Sequence, residues 1–196
     1  MKMGRSLRVL AVLSATLIAL NTGTAAAQST GGRHAVTKEH PRLFGSRQEL
    51  QALAVSRAAE YSRMKAVITN PDAGDHELMF SLALVCAVER DSALGRRAIE
   101  RAMTYINGPI QIGHVTFGHD LARCAVVFDL CREYWTDAEC SKFYDYVNKT
   151  VDGNVGSETS PFHNGFYGYK WWGIGLASYA AYYENQRAPA LLKALE

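Results

Sequence analysis

The sequence predicts an all-α protein built from antiparallel helix hairpins, on three observations. Two capping boxes, Ser46-Arg47-Gln48-Glu49 and Thr136-Asp137-Ala138-Glu139, stand at helix starts. Asn70-Pro71 and Asn107-Gly108-Pro109 interrupt the apolar stretches where a helix must stop. Between these signals, helix-length segments alternate with connections, as in paired helix hairpins.

Taken in order, residues 28 to 39 are polar and glycine-rich and are expected to be loose. His40-Pro41 orients the loop that leads into the first helix. That helix is expected from about Arg47 to Val67, with Leu50, Leu53, Ala54, Tyr61 and Met64 on one face. Asp75 to Glu89 is a strongly apolar second helix, its acidic start matched to the helix dipole through Asp75-His76-Glu77. Ser92 to Ile106 is a third. Ile110 to Phe117 reads as a short β-like connection, His119 to Tyr134 as a fourth helix, and a fifth runs from the second capping box to about Val151. Residues 152 to 166 are irregular. A helix follows from about Tyr169 to Asn185, and residues 188 to 196 begin another.

Residues 1–27 have the pattern of an export signal. Lys2, Arg5 and Arg8 precede an apolar run from Val9 to Leu20, and Ala25-Ala26-Ala27 offers a small-residue cleavage site. The expected location is secreted or periplasmic, with no membrane span after cleavage. Removing the leader takes three basic residues from the chain and leaves 18 Lys and Arg against 19 Asp and Glu. With no basic stripe remaining, nucleic acid is not an expected partner. The four cysteines, Cys86, Cys124, Cys131 and Cys140, match neither a zinc spacing nor a dense disulfide framework. They are read as thiols packed between helices, with one bridge as the alternative.

The chemically richest stretch is Pro161 to Tyr183, PFHNGFYGYKWWGIGLASYAAYY. Imidazole, amide, phenol, ammonium and indole groups crowd together here at the start of a small-residue helix. That mixture suits holding a sugar chain and moving protons on it; the alternative is a loop whose aromatics fill core space. The candidate catalytic residues are His163, Asn164, Tyr167 and Tyr169; Lys170, Trp171 and Trp172 are candidates for substrate binding. If both tryptophans are helical they point about 100° apart, so one can face a cleft while the other packs. His114 and His119, with Asp120 adjacent, lack a third ligand at recognisable spacing, so no metal or other cofactor is expected. Asp129, inside an apolar helix, is read as a buried hydrogen-bonded strut, with a cleft position as the alternative.

Three stretches together resemble the helical domain of heparinase II/III-like polysaccharide lyases. They are HPRLF at His40 to Phe44 followed by a capped helix, AVVFDLCREYWTDAECSKFYDY at Ala125 to Tyr146 with its Phe128-Asp129 pair, and NGFYGYKWWGIGLASYAAY. The similarity runs from about Glu39 to Glu196. It implies an incomplete (α/α) toroid, an acidic uronic-acid polysaccharide such as heparan sulfate or alginate as partner, and cleavage by β-elimination. The family pattern continues into further helices and β-sandwich domains, whereas this sequence stops after about seven helices, in the apolar run ALLKALE. The expectation is therefore an array cut short, lacking any catalytic group from later helices.

β-Elimination removes the C5 proton of a uronic acid and expels the C4 oxygen. The carboxylate must be neutralised so that the enolate-like intermediate becomes accessible, and Asn164, His163 or Lys170 offers that. Tyr167 or Tyr169 would transfer protons, which for a phenol with an ordinary pKa near 10 needs positive charge nearby. In the family the neutralising Asn stands next to Trp or His; here Lys170 precedes the tryptophans and the nearest Asn is Asn164. Two other readings stay open. One is a carbohydrate-binding fragment without catalysis. The other is a glycoside hydrolase on a similar toroid, which would need paired carboxylates such as Glu158 and Asp129.

Overall fold

A computed structural model of the chain describes residues 36–113, 116–156 and 172–195. Among them every regular element is helical: α1 (Arg47–Ser56), α2 (Ala58–Thr69), α3 (Asp75–Glu89), α4 (Ser92–Ile106), α5 (Thr116–Leu130), a 3-10 turn (Arg132–Tyr134), α6 (Asp137–Gly153), α7 (Ile174–Ala180) and α8 (Ala188–Lys193).

Burial patterns sort the helices into two kinds. In α4 the buried residues are Gly95, Ala98, Ile99, Ala102 and Ile106, the 3–4 spacing of a helix with one apolar stripe. In α6 they are Cys140, Phe143, Tyr146, Val147, Thr150 and Val151, again one stripe. By contrast, α3 buries a run from Leu78 to Ala87 broken only at Phe80 and Leu84, and α5 is buried on nearly every face. Helices hidden on all sides belong in the middle. The packing agrees: α3, α5 and α7 lie side by side, α4 sits against both α3 and α5, α6 against α5 and α7, and α8 against α7. The core continues between the layers. Phe128 stacks on Phe143 with centroids 4.6 Å apart, and Trp135 and Tyr144 close around that pair.

Helix α4 runs antiparallel to both α3 and α5. The start of α3 meets the end of α4, where Asp75 binds Arg101 and Tyr105. The end of α5 meets the start of α4, where Arg96 donates to the Tyr134 carbonyl and to Glu139. Both capping boxes form, with the Ser46 and Thr136 hydroxyls accepting from the backbone of Glu49 and Glu139 and each glutamate reaching back.

The observed ends of α3 and α4 are those read from the sequence; other elements differ. The single helix expected from Arg47 to Val67 is divided at Arg57 (φ −118°, ψ 44°), where the Ser56 hydroxyl donates to the Leu53 carbonyl and competes with the ladder. The division breaks the expected common face: Leu50 is buried, Leu53 is exposed, and α2 has no buried residue. Helix α5 starts at Thr116, inside the stretch expected to be β-like, and its last expected turn is a 3-10 turn instead. The described part of the next helix ends at Ala180, five residues before Asn185.

Candidate functional site

The inner helices α3 and α5 bring their N-terminal turns to one end of the layer, and the polar residues of that end form the candidate site. Asp75 and His76 open α3. His119, Asp120 and Arg123 lie in the first two turns of α5. Trp172 stands just ahead of α7. It is exposed (46%), with its indole 5.1 Å from the His119 imidazole and tilted 43° to it. A cavity of about 160 Å³ lies between α3 and α5, lined by His76, Met79, Phe80, Ala122, Arg123 and Val126.

The charges at this end hold one another in place. The Arg123 guanidinium donates to Asp120 Oδ1 at 3.0 Å and lies 5.7 Å over the Tyr105 ring. Tyr105 donates in turn to Asp75 Oδ2 at 2.6 Å. Burial pushes the Asp120 carboxyl above its ordinary value, outweighing the nearby charges of Arg123, His76 and His119. Asp75 is also penalised by burial, but the bonds from Tyr105 and Arg101 bring it below the usual carboxylate range. The Tyr105 phenol is held up by its bond to Asp75 and by burial, so it is a proton donor near neutrality and not a base. An exposed indole, a neighbouring imidazole, a cation and an apolar hollow can together hold a ring that carries negative charge.

A second cluster holds the N-terminal strap against the layer. His40 Nδ1 lies 2.6 Å from Asp129 Oδ1, and its Nε2 lies 3.0 Å from Glu184 Oε1. Asp129 also accepts from the backbone N–H groups of Arg42 and Leu43 at 2.8–3.0 Å. Arg42, its side chain fully buried, donates to Glu184 and to the Lys38 carbonyl and packs 5.6 Å from the Tyr183 ring. The Tyr183 hydroxyl donates to the Val36 carbonyl at 2.8 Å, so residues 36–39, at the end of the stretch expected to be loose, are tied down. Asp129 is fully buried and is the strut that the sequence suggested. Its oxygens are already taken up by the strap, which leaves it unavailable as one of a pair of glycosidase carboxylates.

Of the residues expected to act, Trp172 alone falls among those described, and it is exposed against His119. His163, Asn164, Tyr167, Tyr169, Lys170 and Trp171 lie outside the described residues, as do His114 and Glu158. Among the described residues no group of three or more His, Cys, Asp or Glu side chains could hold a metal ion. Sequence reasoning missed Arg123, Tyr105 and Glu184. The available signal was the i,i+3 pairing of Asp120 with Arg123 in a helix that otherwise reads apolar. All four cysteines are free and buried, as packed thiols should be. No helix among the described residues is long and apolar enough to cross a membrane. No family model matches the chain, and no curated protein or solved structure is significantly similar to it.

Proposed function

We propose that this chain is the helical part of an exported, heparinase II/III-like polysaccharide lyase, its hairpins forming an arc of an (α/α) toroid. The substrate is a uronic-acid polysaccharide, cleaved by β-elimination at the end of the layer where α3 and α5 begin. One observation carries the reading: Trp172, from the aromatic block of the resemblance, stands exposed against His119, and one turn further along that helix Arg123 lines the cavity. A second supports it, since His40 and Arg42 of HPRLF bind Asp129 of the second resembling stretch.

In this reading Trp172 stacks on a sugar ring, and Arg123, Lys170 and Asn164 offset the charge of the uronate carboxylate. Neutralising that carboxylate makes the C5 proton removable. Tyr167, Tyr169 or His163 takes the proton, and His119 joins them as a candidate to protonate the C4 oxygen as it leaves.

The test is incubation of the chain with alginate, heparan sulfate and hyaluronan while the ultraviolet absorbance of the unsaturated uronate product is followed. Growth of that absorbance supports the proposal. Saturable quenching of tryptophan fluorescence by oligouronides without product supports the binding-only alternative. Neither signal on any acidic polysaccharide overturns both.

A further inference from the structure

Cys86 and Cys131 meet at the end of the inner layer opposite the mouth. Cys86 lies in the last turn of α3, where its carbonyl accepts from the capping N–H of Arg90. Cys131 directly follows α5. The two helix ends are held level by Glu133, which pairs with Arg47 and Arg90, while Arg47 also donates to the Ala87 carbonyl. Cys131 Sγ lies 4.0 Å from the Ala83 carbonyl, and residues 83 and 86 share a face of α3, so the Cys131 thiol faces that helix beside Cys86. On the far side Gly95 of α4 closes the space. A Cβ there would come within 2.8 Å of Cys86 Sγ and 2.6 Å of Tyr134 Cδ2. The Cys86 thiol therefore has little room to turn away from its partner.

We propose that Cys86 and Cys131 are a reversible dithiol–disulfide site that bolts α3 to α5 when the chain meets a disulfide oxidant. One cysteine thiolate attacks a sulfur of R–S–S–R and releases one RSH, leaving a mixed disulfide on the protein. The other cysteine then attacks the protein sulfur of that mixed disulfide and releases the second RSH. The cysteine pair gives up two electrons and two protons, and the oxidant becomes two thiols. The protein sulfurs must close to about 2.05 Å, which neighbouring thiols reach by side-chain rotation and small backbone adjustment.

The surroundings set the rate and the selectivity. The neighbouring Cys86 thiol, together with burial, holds the Cys131 thiol well above the ordinary thiol value, so little thiolate forms in the closed protein. The first attack needs a local opening of the helix ends and should quicken in sub-denaturing urea. The other two thiols are placed elsewhere: Cys124 Sγ lies 3.8 Å from the Ala102 carbonyl on α4, and Cys140 is in the first turn of α6. Closing the stretch from 86 to 131 restricts the unfolded chain and should raise the unfolding temperature.

The experiment exposes the reduced chain to oxidised glutathione, quenches with acid, alkylates under denaturing conditions and maps the digest by mass spectrometry. The expected result is loss of two of the four thiols, a peptide cross-linked between Cys86 and Cys131, and a higher melting temperature that dithiothreitol reverses. A chain carrying Cys124→Ala and Cys140→Ala should lose both remaining thiols. Persistence of all four thiols in the wild-type chain, with or without urea, overturns the proposal, as does a bridge mapped to Cys124 or Cys140. Because thiol mapping needs no substrate, its outcome is independent of whether the chain is a lyase.

Discussion

The imidazole of His40 and the carboxylate of Asp129 meet at 2.6 Å across 89 residues of chain. Their contact lies at the centre of a strap that runs from α5 to the turn beyond α7, with Glu184 on the other imidazole nitrogen.

Replacing Asp129 with alanine should be among the most damaging single changes in the fold. It strips two backbone N–H groups and a histidine of their acceptor at a site closed to water. The expected loss is about 3 kcal/mol, the scale for a buried charged partner removed from its donors. Urea unfolding of Asp129→Ala beside wild type measures it. An unchanged midpoint would show that the strap contributes nothing to stability.

The same strap gives stability a dependence on pH near neutrality. Burial alone would lower the His40 pKa, but the bonds to Asp129 and Glu184 outweigh burial and the charge of Arg42, so the value lies above its ordinary 6.5. A group raised on folding contributes stability that is fully present below its unfolded pKa and is lost as pH rises through its folded one. Above that point Nε2 no longer donates to Glu184 and can accept from Arg42 Nη2, 2.8 Å away. The urea midpoint should fall as pH is raised above about 6.5, and His40→Gln should flatten that slope. Nuclear magnetic resonance titration of the imidazole locates the midpoint directly; a value below 6.5 contradicts the expectation.

Glu139 contributes on the acid side. Its bonds from Arg96 and from the Thr136 backbone and hydroxyl outweigh burial and hold its carboxyl at about 2. A carboxylate depressed on folding contributes stability above its unfolded value of about 4.5, which is lost as pH falls through about 2. Because Arg96 is well exposed, solvent screening limits the pair and cap together to about 1 kcal/mol. Melting temperatures between pH 5 and pH 2 should fall less steeply for Glu139→Gln than for wild type. Parallel curves for the two chains would show that Glu139 is not responsible.

At the mouth, Trp172→Ala should weaken oligouronide binding roughly tenfold, the loss expected for one aromatic stacking surface. Far-ultraviolet circular dichroism should stay unchanged, because the indole is exposed and carries little of the core. Equal affinity in the two chains would remove Trp172 from the site.

How much could be read beforehand depended on the range of the signal. The capping boxes at Ser46 and Thr136 and the ends of α3 and α4 are written in neighbouring residues, and each forms as read. The division at Arg57 depends on a hydroxyl competing for one carbonyl and leaves no mark in the apolar pattern. The aromatic block announced Trp172, yet its neighbour His119 comes from another helix. Glu184 and Arg42 are ordinary surface residue types by composition. Their roles in the strap come from contacts over 87 to 144 residues, with Asp129, with His40 and with each other.

That pairing also orders events in time. A chain made from its N-terminus exposes His40 and Arg42 long before Asp129, and longer still before Glu184. The strap's long-range contacts span 86 to 147 residues, so their loop-closure entropy must be met late, after the local hairpins have formed. Hairpins can therefore come and go while the molecule is still unlocked. Were the chain exported as proposed above, it would stay threadable through a narrow channel until Glu184 has emerged, and the final locking step would follow passage.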